Sequence, residues 1–194
     1  MIAILDCTNQ DLPLLKREFV NPIESVVQKT AHHSVVLPLN SHEMPGDLKG
    51  VILTGTALMD NRYLTIGLPE WLQEWAGPVL GICAGMQLMA LTCGGRLVPS
   101  EAIGMTEIRC IGADRILEGR EQFTGWELHR SGVEVNGTVT VLARSSSGIQ
   151  MIRANDRPWY GLLFHPEVRN EWLITNFLDI CDEQESPEDR CSEF

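Results

Sequence analysis

Apolar residues open the chain as an unbroken run, Ile2-Ala3-Ile4-Leu5, which stops at Asp6, Cys7 and Thr8. A short apolar run bounded by polar residues is the pattern of a strand buried on both faces. Residues 34–37 and Gly50–Leu53 repeat it, the latter ending at Thr54-Gly55-Thr56. Between the first two runs, Asn21-Pro22-Ile23-Glu24 reads as a helix start, with Asn21 able to cap, Pro22 in the first turn and Glu24 at the capping-box position. Leu68, Trp71, Leu72 and Trp75 recur at helical spacing, and Gly77-Pro78 ends that helix. Val79-Leu80-Gly81-Ile82 is a fourth strand running directly into Cys83, and the helix formers of residues 84–92 follow, closed by Gly94-Gly95.

The second half changes character. Residues 106–111, 133–135, 138–143, 149–153 and 159–164 are short strand candidates separated by turn residues, and a closing helix starts near Glu171 with Leu173, Phe177, Ile180 and Cys181 on one face. Strands alternating with helices predict an α/β fold with a mostly parallel central sheet flanked by helices, and the later run of strands predicts an antiparallel extension. A chain of 194 residues is short for two domains. Residues 1–181 are therefore expected to form one domain. Residues 182–194 carry six acids and one arginine, include Ser186-Pro187, and are expected to be a disordered tail.

Charge narrows the range of partners. The formal net charge is −11, of which the tail supplies −5. An acidic surface with scattered basic residues repels phosphate, which argues against nucleic acid and against anionic membrane surfaces. No apolar run reaches the roughly 18–20 residues of a membrane helix. The opening residues lack a basic leader and a cleavage site, so they are read as a strand, not a signal peptide. The six cysteines, at 7, 83, 93, 110, 181 and 191, show no C-x-x-C spacing and no nearby histidine cluster, so no metal site is expected. Scattered cysteines without a secretory signal predict reduced thiols and a cytoplasmic location.

Chemistry enters at Gly81-Ile82-Cys83-Ala84-Gly85, a G-x-C-x-G between a strand and a helix. A nucleophile on so sharp a turn leaves little room for side chains two residues either side, which accounts for the glycines. The helix N-terminus favours a thiolate at Cys83, and the Ala84 amide faces the place where an oxyanion would form. An isolated cysteine after an apolar strand would be a small core residue; the paired glycines and the helix argue otherwise. The second feature is Gly161-Leu162-Leu163-Phe164-His165-Pro166-Glu167. A strand ending in His-x-Glu, stiffened by Pro166, can bring a base and the carboxylate that orients it to one site. His32, His33 and His42 fall in a polar stretch and read as surface residues; His129 reads as part of a binding loop. Cys7, Cys93 and Cys110 read as small core residues.

Together these motifs resemble the class I glutamine amidotransferases, whose signature is G-x-C-x-G-x-Q followed far downstream by F-H-P-E. The chain carries Gly81-Ile82-Cys83-Ala84-Gly85-Met86-Gln87 and Phe164-His165-Pro166-Glu167, and the resemblance covers about residues 1–180. It implies a flavodoxin-like fold, no cofactor, and a Cys83–His165–Glu167 triad that hydrolyses L-glutamine to glutamate and ammonia through a γ-glutamyl thioester. Gln87 matches a family glutamine that contacts substrate, and Arg130-Ser131 matches the stretch whose backbone holds the substrate's α-carboxylate. Within the family the chain looks like the stand-alone amidotransferase subunit of GMP synthase, on Gly94-Gly95-Arg96-Leu97, Gly104-Met105-Thr106-Glu107-Ile108, and Trp126 followed by His129 and Val133. With no P-loop in the chain, an ATP-dependent synthetase partner would receive the ammonia.

Two departures stand out. The family's other oxyanion donor comes from a glycine-rich turn; here the turn is Leu53-Thr54-Gly55-Thr56-Ala57, with Gly55 kept and Thr56 in place of the second glycine. The Thr56 amide can still serve, yet a β-branched residue resists the dihedrals that glycine takes freely; some relatives with a branched residue there gate activity by a peptide flip that needs the partner subunit, and by that resemblance low basal activity is expected. Leu128 stands where GMP synthases have serine before the histidine. A γ-glutamyl hydrolase-like cysteine hydrolase and a catalytically silent binding module of the same fold are the rival readings.

Overall fold

A computed structural model of the chain describes residues 1–9 and 11–183. A nine-stranded sheet in the order β2-β1-β3-β4-β9-β8-β7-β5-β6 forms its centre. The strands β1 (Ile2–Asp6), β2 (Ser34–Pro38), β3 (Gly50–Leu53), β4 (Val79–Ile82) and β9 (Trp159–Leu162) pair in parallel. The strands β5 (Arg96–Cys110), β6 (Gln122–Glu134), β7 (Val139–Ser145) and β8 (Gly148–Ala154) form the antiparallel extension, joined to β9 through β8. The parallel part has the strand order of a flavodoxin-like sheet, as expected.

Alternation along β1 shows why its run is apolar throughout. Ile2 and Ile4 point into one core layer, and Ala3 and Leu5 into the other. The first layer is closed by α2 (Asn21–Lys29) with Ile23, Val26 and Val27, and by α7 (Glu171–Glu183) with Leu173, Ile174 and Phe177. The second is closed by α5 (Ala84–Thr92), α4 (Glu70–Glu74) and α3 (Arg62–Ile66), through Leu88, Leu72 and Tyr63. A third apolar cluster, with Met86, Ala90, Val133, Ile152 and Leu163, fills the space between α5 and the extension. Fully burying each such side chain contributes about 1.5–3 kcal/mol.

Several boundaries differ from the sequence expectations. The helical entry begins well before Asn21: a turn of helix α1 (Pro13–Leu15) leads into a π-helical stretch, Lys16–Val20, and only then into α2. Asn21 makes no side-chain cap, because its backbone is already helical. The helix expected across residues 68–75 is only Glu70–Glu74, and α3, without an apolar period of its own, precedes it. The extension is built from longer strands than the short candidates: β5 spans 15 residues and β6 13. Glycine in the middle of β5 does not break it, because Gly104, at φ 123°, takes the distortion within the strand.

Helix α7 runs through Asp182 and Glu183, two residues assigned to the tail from sequence, and Asp182 ties the helix to Lys49 at 2.9 Å and to His32 at 3.2 Å. The rest of the expected disordered tail, residues 184–194, lies outside the described residues. His32 is thus an anchoring residue with its side chain largely covered, while Cys93 and Cys110 are only half-buried. No helix among the described residues is long and apolar enough to cross a membrane.

Candidate functional site

The strand-to-helix turn at Cys83 is as tight as its glycines require. Cys83 sits at φ 47°, ψ −98°, between β4 and α5. A Cβ on Gly81 would lie 2.6 Å from the carbonyl carbon of Gly85, and one on Gly85 would lie 2.5 Å from Cβ of Leu53. Larger residues at either position would force the turn apart. The Cys83 amide donates to the Leu162 carbonyl at 2.7 Å, which ties the elbow to β9. Ala84 begins α5, so its amide belongs to the first turn, where helix N–H groups lack intrahelical partners.

His165 caps a short helix, α6 (Pro166–Arg169), with Pro166 in its first turn. The sequence suggests His-x-Glu alternating along a strand end; instead the backbone turns helical at Pro166, and that turn brings Glu167 back to the ring. The Nδ1 of His165 donates to Oε1 of Glu167 at 2.8 Å, and both side chains are 1% exposed. The Cys83 thiol lies within interaction range of the same ring, while Nε2 of His165 has no aligned hydrogen-bond partner among the described residues. The thiol points instead to the Leu128 carbonyl, 3.6 Å away. Burial alone would lower the His165 pKa. The Glu167 charge, then the contacts with Cys83 and Glu167, outweigh burial and hold it well above the usual imidazole range.

Gly55 approaches from another side. A Cβ there would meet Cε1 of His165 at 2.6 Å and Cβ of Cys83 at 3.5 Å, so the turn after β3 touches both residues at once. Thr56 takes no left-handed dihedral here. Its hydroxyl donates to Asp60 Oδ2 at 2.7 Å, and the same oxygen accepts from the Asn9 amide at 2.7 Å. Asp60 therefore pins the Thr56 turn to the loop after β1.

A cleft with about 310 Å³ of empty space, its open mouth included, faces Cys83 and is lined also by Thr56, Ala84, Gln87, Arg130 and Ser131. The structure brings all nine sequence-predicted site residues to this one region: six line the cleft, while His165, Glu167 and Gly55 sit behind Cys83. Gln87 is held on both sides, accepting from the Tyr63 hydroxyl and donating to the Ser131 carbonyl at 2.7 Å. Arg130 and Ser131 lie in β6, and so does His129, which is not in a loop as expected but buried in the strand, donating from Nδ1 to the Ser100 carbonyl at 2.8 Å. Arg130 lies on the solvent side, 3.7 Å from Glu101.

β6 serves the site through its backbone. The carbonyls of Thr124, Trp126, Leu128 and Ser131 accept, in turn, from the Asn170 side chain, the His165 amide, the Cys83 thiol and the Gln87 side chain. Sequence reasoning missed Tyr63 and Asp60, which position Gln87 and Thr56. The only signal for them was a turn-rich stretch, Asp60-Asn61, next to the oxyanion segment.

Comparison with known proteins places this arrangement. The family described as glutamine amidotransferase class-I matches residues 16–179. A glutamine-hydrolyzing GMP synthase subunit of Methanothrix thermoacetophila is 38% identical over 141 residues, covering 68% of this chain and 76% of the relative. The protein of the same name from Methanopyrus kandleri is 29% identical over 198 aligned positions, covering 94% of this chain and all of the relative. Among solved structures, a Thermoplasma acidophilum protein provisionally assigned as a GMP synthase subunit superposes with a TM-score of 0.81 at 25% identity over 93% of both chains. A Thermotoga maritima glutamine amidotransferase superposes with a TM-score of 0.67 at 16% identity, over 97% of this chain and 87% of that one, a likeness of fold. The chain belongs to the class I glutamine amidotransferases.

Proposed function

We propose that Cys83, His165 and Glu167 hydrolyse L-glutamine and that the ammonia passes to an ATP-dependent synthetase subunit of the GMP synthase kind, in purine biosynthesis. One observation carries the reading: a buried imidazole, fixed at Nδ1 by Glu167, lies against a cysteine held on a strained elbow that opens onto a cleft. Cys83 gives its thiol proton to Nε2 of His165 as its sulfur attacks the side-chain amide carbon of glutamine. The oxyanion that forms is held by the Ala84 amide and by the Gly55-Thr56 turn. His165 delivers a proton from Nε2 to the leaving nitrogen, the C–N bond breaks, and ammonia departs from a γ-glutamyl thioester. Water then attacks the thioester with His165 as base, releasing glutamate and the thiol. Glu167 holds the tautomer and stabilises the imidazolium. Gln87, Arg130 and Ser131 line the cleft where the amino-acid end of the substrate would sit.

The GMP synthase assignment rests on the relatives' names; Thr56 and Leu128 are the two departures from the family pattern. The test is release of ammonia and glutamate by the purified chain, with Cys83→Ala as control, repeated with the synthetase component of a GMP synthase and its substrates. The expected result is Cys83-dependent release, slow alone and faster with the synthetase, because Asp60 pins the Thr56 turn. Partner-free turnover at the roughly 10 per second typical of enzymes would remove the gating, and release from Cys83→Ala would remove the mechanism.

A further inference from the structure

The imidazole of His165 needs more than one hydrogen bond to hold its plane. Glu167 fixes Nδ1, but a ring anchored at one atom can still tilt about that bond. Gly55 closes one side, leaving no room for a Cβ beside Cε1. Phe19 closes another: the two ring centroids are 5.7 Å apart at an interplanar angle of 55°. The apolar wall matters for a further reason. Oε2 of Glu167 and Nε2 of His165 are both buried without a partner among the described residues, so water admitted beside them would compete for the Nδ1–Oε1 bond.

Phe19 reaches this place through an unusual piece of backbone. It lies in the π-helical stretch Lys16–Val20, where Lys16, Arg17 and Glu18 face solvent and Phe19 and Val20 turn inward. An extra residue in a helical turn costs hydrogen-bond geometry, and such turns are frequent at functional sites. Here the turn delivers one aromatic ring to one imidazole.

We infer that Phe19 is a positioning residue for His165, its ring holding the plane of the imidazole and keeping water from the His165–Glu167 pair. The inference rests on the proposed role of His165 as proton carrier. The Phe19 ring centroid, 5.7 Å from that of the imidazole, also lies within the roughly 6 Å at which a cation is felt by a π-system, so the ring is placed to favour the imidazolium formed when Cys83 gives up its proton. The other titratable groups around His165 are Glu167 from α6, Cys83 from the α5 N-terminus and, further off, His129 from β6.

The test follows the full chain labelled with carbon-13 histidine, the His165 resonance being assigned by its loss in His165→Gln. Titration midpoints are read by NMR, beside kcat and KM for glutamine, in wild type, Phe19→Leu and Phe19→Tyr. Leucine keeps an apolar filler and removes the ring, whereas tyrosine keeps the ring. The expected result for Phe19→Leu is a kcat about fivefold lower with KM within about twofold, and a His165 midpoint lower by roughly half a pH unit or more. Phe19→Tyr is expected to restore both to near wild type. Wild-type kcat and midpoint in Phe19→Leu overturn the inference. So does equal impairment of both variants with a matching drop in unfolding temperature, which makes Phe19 a core filler. If wild type turns over no glutamine, the proposed reaction fails, while the midpoints still decide what Phe19 does.

Discussion

Gly55→Ala puts the shortest lever on the site. The added methyl would sit 2.6 Å from Cε1 and 3.2 Å from Nδ1 of His165. Carbon atoms rest at roughly 3.5 Å or more, so the contact falls short by about 0.9 Å. The imidazole cannot yield cheaply, because Glu167 holds Nδ1 at 2.8 Å and Phe19 packs against the ring. A shift of that size either stretches the Glu167 bond past 3.5 Å or moves the ring relative to Cys83. Misplacing a catalytic group by about 1 Å costs on the order of a hundredfold in rate. Overpacking in a tight interior costs about 1–3 kcal/mol, which for a chain of this size lowers the unfolding temperature by roughly 2–12 °C. The assay is Cys83-dependent glutamate release, with Gly46→Ala as control, since a methyl there meets nothing within 4 Å. Gly55→Ala is expected to lose about a hundredfold in kcat with KM much less affected, and the control to match wild type. A kcat within threefold of wild type would refute the argument that this glycine exists to make room for the imidazole.

The strained elbow predicts an inverse relation between stability and activity. With Cys83 at φ 47°, Cys83→Gly relieves a conformation that costs about 1–3 kcal/mol and that alanine would keep. Cys83→Gly should therefore unfold about 2–4 °C or more above Cys83→Ala, both inactive, by thermal denaturation; equal midpoints would show that the turn is unstrained. The His165 pair predicts a pH dependence with a definite sign. Its folded pKa lies above the unfolded value of about 6.5, so the stabilisation is complete below that pH and is lost as pH rises through the folded value. The stability difference between wild type and His165→Gln, from urea unfolding, should shrink by up to ~1.4 kcal/mol per pH unit across that window; a difference that grows with pH would reverse the assignment.

The legible and illegible parts of the molecule separate along a physical line. The central parallel strands could be read because each is buried on both faces, so its apolar run is continuous and its ends are sharp; β1, β3 and β4 fall where the pattern puts them. The meeting of Cys83, His165 and Glu167 at one place could be read because strained turns and short spacings write themselves locally, as G-x-C-x-G and His-Pro-Glu. The ribbon of β5 and β6 could not. Its strands bury one face only in part, and its register is set by partners far away in sequence. His129 therefore reads as part of a loop, and Arg130 and Ser131 fall outside the strand candidates, although all three lie inside a 13-residue strand. Tyr63, Asp60 and Phe19 act by reaching across the site from neighbouring elements, and nothing in their local sequence says where those elements dock.

β6 shows how much of the site depends on that unread register. It is the last strand of the sheet, so one edge pairs with β5 and the other has no strand beside it among the described residues. Edge strands leave a row of backbone groups open, and here the Thr124, Trp126 and Leu128 carbonyls are taken by Asn170, His165 and Cys83. These are alternate residues, whose carbonyls point the same way along a strand. The next carbonyl used, that of Ser131, breaks the alternation, and between Leu128 and Ser131 the pairing with β5 shifts: Ala102 faces His129, but Pro99 faces Ser131. One extra residue in β5 has been inserted there, and a bulge of this kind re-aims the backbone beside it. The bulge is thus what lets a single strand hold His165 and Cys83 with one phase of its carbonyls and Gln87 with the other. A slip of one residue along β6 would turn these carbonyls away from Asn170, His165, Cys83 and Gln87. The turn at Cys83 is written in its own five residues, but the wall of the cleft in front of it depends on the register of β5 on β6.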